Sequence, residues 1–236
     1  IILGWLINSR RLTISLPYDK YVAYSRELRA VMANPTQNVR ENVLDRITGR
    51  LNHITTVLPV TKHMMSKIRG ALSQAWTHRH TRLTANELAD FTFWDKILDL
   101  VHKGVSMNLT SFRAPNQHGE TDACTHGLGG YCTLTGRAWR LQLPASLQDI
   151  KHINFLEYLA CCIQFQLTIM EGHSSEYDCF LIEADNTSAV GWMNKSNFQA
   201  DDDSKAAHHG LARKMALTAL NNKVCLYTQW RPGLSN

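Results

Sequence analysis

The hydrophobic period of the chain changes on either side of residues 104–118, and this change limits the architectures open to it more than any other feature. Before it, apolar residues recur every three to four positions. Val39, Val43, Ile47, Leu51, Ile54 and Leu58 form one stripe, and Met64, Ile68, Leu72 and Trp76 form another. This spacing predicts helices over 21–33, 37–58, 60–76 and 86–101, after two short strands within 1–15. Residues 104–118 read as a loop and linker. Beyond it, short runs near 120–124, 128–134 and 137–143 are separated only by Thr125-His126-Gly127 and Thr135-Gly136. Connections this short make an antiparallel meander, because parallel neighbours need a crossover of a dozen residues or more. A long helix (154–170) follows. Next come the apolar strand CFLIEA (179–184), helices over 187–195 and 204–220, and a last strand over 224–230. The order predicts an α/β (α+β) fold: a mixed five-stranded sheet flanked by helices, preceded by a mainly helical segment.

Charge also divides along the chain, at a point ahead of that change. Residues 1–82 hold 13 Lys and Arg against 4 Asp and Glu, a net of +9, whereas residues 83–236 hold 12 against 16, a net of −4. A basic helical part followed by an acidic part suits a phosphate-facing module joined to one that uses carboxylates; a solvated basic surface is the plainer alternative. Arg46, Arg50, Lys62, Lys67 and Arg69 are the candidate phosphate contacts. With 44% hydrophobic and 19% charged residues the chain can fill a core, which excludes a disordered tail. The longest apolar stretch, 153–170, is interrupted by Asn154, Glu157, Gln164, Gln166 and Thr168, so no membrane partner is expected. Six Cys without a CxxC pair point to reduced, buried thiols in a cytosolic-type compartment of a protein that is not secreted. Ile1 opens directly into an apolar run, so the chain reads as an excerpt of a longer one.

Three acids stand where this topology lets them converge. Asp122 lies on the first strand of the meander, Glu157 near the start of the long helix, and Asp185 just past the carboxyl end of the apolar strand. Carboxylates that meet in this way can hold divalent cations for phosphodiester hydrolysis. Each also has an ordinary explanation. Asn154-Phe-Leu-Glu157 fits a capping box, Asp185 fits a cap for the helix opening at Thr187, and Asp122 fits a turn. Asp201-Asp202-Asp203 reads as a solvated loop that caps the following helix.

Five stretches together resemble the ribonuclease H domain of retroelement reverse transcriptases, with a pattern closest to DIRS-like and gypsy-like retrotransposons. They are TDACTHGLGGY (121–131), GRAW (136–139), HINFLEYLA (152–160), ADNTSAVGWMNKS (184–196) and QWRPGLSN (229–236). Upstream, 3–20 looks like the strand pair that closes a polymerase palm, and 47–72 like the thumb and connection helices. The resemblance implies four segments. Residues 1–20 would end the palm, 21–103 would form thumb and connection, 104–118 a linker, and 119–236 the ribonuclease H-like domain. It implies Asp122, Glu157 and Asp185 as ligands of two Mg²⁺, or Mn²⁺ in substitution, with a fourth carboxylate beyond Pro232-Gly233-Leu234-Ser235-Asn236. Asn186 would touch nucleic acid, and His208 or His209 would match the flexible His of some ribonuclease H enzymes. The implied activity is metal-dependent cleavage of the RNA strand of an RNA–DNA hybrid, with polymerase fingers and palm upstream in the same polyprotein. The resemblance also implies a cytoplasmic or nuclear particle. Two alternatives stay open: a non-catalytic nucleic-acid-binding scaffold on the same fold, and a related nuclease of the integrase or resolvase type.

Overall fold

The structure, a computed structural model, describes residues 2–110, 113–144, 152–172, 175, 178–195 and 202–233. It divides into two compact units, Ile1–Thr110 and Ser111–Asn236, so the division falls inside the stretch where the hydrophobic period changes.

In the first unit the apolar stripes become buried helix faces. Pro17 precedes α1 (Tyr18–Met32), and α2 (Glu41–Val57) buries Leu44, Ile47, Leu51 and Ile54. A 3₁₀ segment (Pro59–Met65) leads into α3 (Ser66–His78), so the expected helix over 60–76 is split. α4 (Ala85–Lys103) begins with a capping box: Glu87 N–H donates to Thr84 Oγ1, and Thr84 N–H donates to Glu87 at 2.6 Å. β1 (Leu6–Asn8) and β2 (Thr13–Ser15) pair antiparallel, with Ile7 opposite Ile14.

Three short strands depart from the sequence expectation. β3 (Asn38–Arg40) takes the first residues of the helix expected over 37–58, and it pairs with β4 (His80–Arg82), setting Val39 against Thr81. β5 (Val105–Ser106) lies in the expected linker but adds a third strand beside β2. At two or three residues β3, β4 and β5 are too short to display alternation, and each is created by a partner far along the chain.

The second unit holds the sheet expected from the resemblance. β6 (Gln117–Cys124), β7 (Gly127–Cys132) and β8 (Arg137–Gln142) form the antiparallel meander. β9 (Cys179–Ala184) runs parallel to β6 on one side and to β10 (Cys225–Trp230) on the other, giving the order β10-β9-β6-β7-β8. With α5 (Ile153–Met170), α6 (Thr187–Lys195) and α7 (Asp202–Asn222), this mixed α/β arrangement is ribonuclease H-like. Asp202 and Asp203 belong to α7 rather than to a loop before it; Asp201 and residues 234–236 lie outside the described residues.

α5 supplies the core. Phe155, Leu156 and Ala160 pack with Leu128 and Leu143 of the meander. Its polar stripe is satisfied internally over most of its length. Trp139 Nε1 donates to Gln164 Oε1 at 2.6 Å, and Thr168 Oγ1 donates to the Gln164 carbonyl at 2.9 Å. Gly130 makes room for this: a Cβ there would stand 2.5 Å from Trp139 Nε1 and 2.7 Å from Gln164 Oε1. Glu157, on the same stripe, has a different environment.

Candidate metal centre

β6, α5 and the end of β9 bring Asp122, Glu157 and Asp185 together. One carboxylate oxygen from each lies within 4.8 Å of those of the other two. The ordinary explanations for these acids do not describe what the side chains do. α5 is preceded by His152 as its cap residue, so Asn154 and Glu157 form no capping box. Asn186 Oδ1, not Asp185, accepts the Ala189 N–H at 2.9 Å and caps α6. Asp122 is inside β6, opposite Gly129, rather than in a turn.

The Ala123 amide orients two of the three acids, donating to Asp122 Oδ1 at 2.8 Å and to Glu157 Oε1 at 3.2 Å. Glu157 is buried, whereas Asp122 and Asp185 are exposed. Burial pushes the Glu157 carboxyl up to about 7; the charges of Asp185 and Asp122 add to the rise, and the Ala123 N–H opposes it. Glu157 Oε2 is buried without a hydrogen-bond partner among the described residues. No Lys, Arg or His among the described residues forms an ion pair with any of the three. Converging hard oxygen donors, one of them orphaned and none neutralised, fit a divalent cation such as Mg²⁺.

Asp122 and Asp185 line a cleft of about 370 Å³. Gly129 and Gly130 form part of its wall, and Gly129, beside Asp122, leaves room there for a chain to pass, whereas the space at Gly130 is taken by Trp139 and Gln164. Gly233 closes on the other side. A Cβ there would stand 2.8 Å from Asp185 Oδ2, so the Pro232-Gly233 turn needs its glycine for close approach.

The remaining site expectations distribute differently. Arg46 and Arg50 both engage Glu27 of α1, and Arg50 also lies over the Tyr24 ring at 5.0 Å. Arg69 donates to Asn52 Oδ1 at 2.7 Å. Lys62 is exposed on the 3₁₀ segment, and Lys67 is half-buried on α3. Both ends of the Asn186 amide are engaged, since its Nδ2 also donates to Asn154 Oδ1 at 2.8 Å. His208 is fully buried, with ring centroids 4.6 Å from Phe155, 5.5 Å from Tyr158 and 4.5 Å from Trp192, and His209 is buried beside it. These are core positions rather than flexible ones. Of the six Cys, five are buried and Cys124 is exposed, and all are free thiols. The sequence reading passed over Glu120, Glu183 and Arg231, which border the same cleft. The available signal was spacing, because each Glu precedes a site Asp by two residues, which on β6 puts Glu120 and Asp122 on one side of the strand.

No protein-family model matches the chain, and no curated protein matches it. Among solved structures, the foamy viral protease-reverse transcriptase in complex with dsDNA aligns with 100% of this chain and 45% of its own length, at 9% identity and a TM-score of 0.36. The same protein in complex with an RNA/DNA hybrid aligns with 100% of this chain and 29% of its own, at 10% identity and a TM-score of 0.33. The chain therefore spans less than half the length of these structures. At such scores the alignments add nothing to the strand order and site geometry described above.

Proposed function

We propose that the chain is the ribonuclease H-bearing part of a retroelement reverse transcriptase, a metal-dependent endonuclease for the RNA strand of RNA–DNA hybrids. The convergence of Asp122, Glu157 and Asp185 within 4.8 Å, with no ion-pair partner among the described residues, carries this reading. Residues 1–20 and 21–103 are read as the end of a polymerase palm and its thumb and connection, with the rest of the polymerase as partner in the same polyprotein.

Asp122, Glu157 and Asp185 would hold two Mg²⁺, or Mn²⁺, which when bound supply an activated water and stabilise the leaving 3′ oxygen. The residues of the chain do the positioning. The Ala123 amide fixes Asp122 of β6 and Glu157 of α5 with one donor, so the two carboxylates are held beside one another. Glu157 sits deepest, and a bound cation would bring its carboxyl back down from about 7 and keep it ionised. The bare backbone of Gly129, opposite Asp122 in the register, lets a sugar-phosphate chain pass beside that carboxylate. Choice of RNA over DNA follows from contacts to the 2′-hydroxyl and from hybrid groove shape rather than from base sequence.

The test is cleavage of a hybrid labelled on its RNA strand by the protein carrying this chain with its native flanking sequence. Cleavage that requires Mg²⁺ or Mn²⁺ and is lost in Asp185→Asn supports the reading. Salt-sensitive hybrid binding without cleavage would replace it with a nucleic-acid-binding scaffold.

A further inference from the structure

Glu120 and Glu183 are register partners on the parallel strands β6 and β9, set two residues before Asp122 and Asp185. Strand alternation puts Glu120 on the same side of β6 as Asp122, and Glu183 and Asp185 line the same cleft as that pair. Four carboxylates thus stand in two rows across one strand pair. Like charges in adjacent rows push strands apart. Arg231 lies between the glutamates: its Nη1 donates to Glu120 Oε1 and reaches Glu183 Oε2 at 3.5 Å, while His118 Nε2 lies 3.1 Å from Glu183 Oε2.

The same residue is tied to Asp185 through the backbone. Arg231 N–H donates to the Ala184 carbonyl at 3.0 Å, extending the β9–β10 pairing by one residue. The preceding Trp230 donates Nε1 to the Asp185 carbonyl at 2.8 Å. Two residues on, Gly233 closes against the Asp185 carboxylate.

We propose that Arg231 is a positioning residue for the carboxylate trio. It is a fixed counter-charge that holds Glu120 and Glu183 together, keeps β6 and β9 in register at Asp122 and Asp185, and leaves those two acids as the cation ligands. The inference rests on the metal reading of the trio and adds a residue that touches neither metal nor substrate. It makes a prediction of unusual sign. Removing a cation near three carboxylates should tighten metal binding if only local charge matters, whereas removing a positioning residue should weaken it.

The test is Mn²⁺ affinity of the full chain by titration calorimetry, with circular dichroism to establish that each variant folds. R231M should bind Mn²⁺ about tenfold more weakly, the scale expected when a group supporting metal ligands is lost. R231K, which keeps a charge between the glutamates, should recover most of the loss. R231M combined with E120Q and E183Q should also recover it, because the repulsion that Arg231 offsets is then gone. Folded R231M that binds as tightly as the unsubstituted chain, or more tightly, would overturn the inference. If R231M alone does not fold, the triple variant decides: unsubstituted affinity supports the role, and about tenfold weaker binding overturns it. Failure of the unsubstituted chain to bind Mn²⁺ would instead overturn the metal reading, and this role with it.

Discussion

Glu27 and the Asp122–Glu157–Asp185 trio treat negative charge in opposite ways. Glu27, in the basic first unit, is held by two guanidinium groups, Arg46 and Arg50, and joins α1 to α2. The trio, in the acidic second unit, has three carboxylates and no ion-pair partner among the described residues. Glu120 and Glu183 fall between the two cases, close to the trio yet sharing the single positive charge of Arg231. A compensated carboxylate stabilises the fold that surrounds it. An uncompensated group of carboxylates costs stability and persists where a ligand repays that cost.

The contrast can be broken most sharply at the trio. Asp185→Asn should lower metal-dependent cleavage about 10³-fold or more, since a ligand of the reacting centre is lost. In metal-free protein the same change should raise the melting temperature, because a like charge is removed from beside Asp122 and Glu157. A lower melting temperature would mean that Asp185 is structural. At Glu27 the sign reverses: Glu27→Gln should cost about 1 kcal/mol in urea unfolding, because its guanidinium partners lose their acceptor.

Acidity sharpens the same comparison. The Glu157 carboxyl rises from its ordinary 4.5 to about 7 on folding, so between those values the folded chain holds a proton that the unfolded chain has released. Stability of the metal-free protein therefore falls as pH rises from about 4.5 to about 7. Glu157→Gln should flatten that slope in thermal melts recorded across the range, and saturating Mn²⁺ should flatten it as well. An unchanged slope in the variant would assign the effect elsewhere. The smallest expected effect concerns nucleic acid. Lys62→Gln should reduce the salt dependence of hybrid binding by about one counterion, whereas Arg46→Gln, already engaged by Glu27, should leave the slope unchanged.

Much of this arrangement was readable in the residues, for reasons that differ by element. The meander was legible because Thr125-His126-Gly127 and Thr135-Gly136 leave no length for a crossover. β9 was legible as CFLIEA, an apolar run bounded by polar segments. Those assignments also placed Asp122, Glu157 and Asp185 at converging positions. β3, β4 and β5 were not legible, because each gains its hydrogen bonds from a strand 40 to 93 residues away and is too short to carry a period. The fate of Arg46 and Arg50 was hidden for a related reason. Their stripe on α2 identified an exposed basic face, but Glu27 reaches it only because α1 packs alongside. His208 and His209 were read by position alone, whereas the packing of α5, α6 and α7 encloses His208 among aromatic rings.

What the sequence determined by itself was periodicity and order: which faces are apolar, which connections are short, and which acids follow which strands. These are local properties, fixed by backbone geometry over a few residues. The tertiary structure alone decided which charges are neutralised. Coulomb interaction depends on distance and on exclusion of water, and both are set by packing between segments far apart in the chain. Glu120, Glu183 and Asp185 are all carboxylates in the sequence, with nothing local to tell their charges apart. Arg231 on the neighbouring strand end makes the first two a structural pair and leaves the third open to a cation.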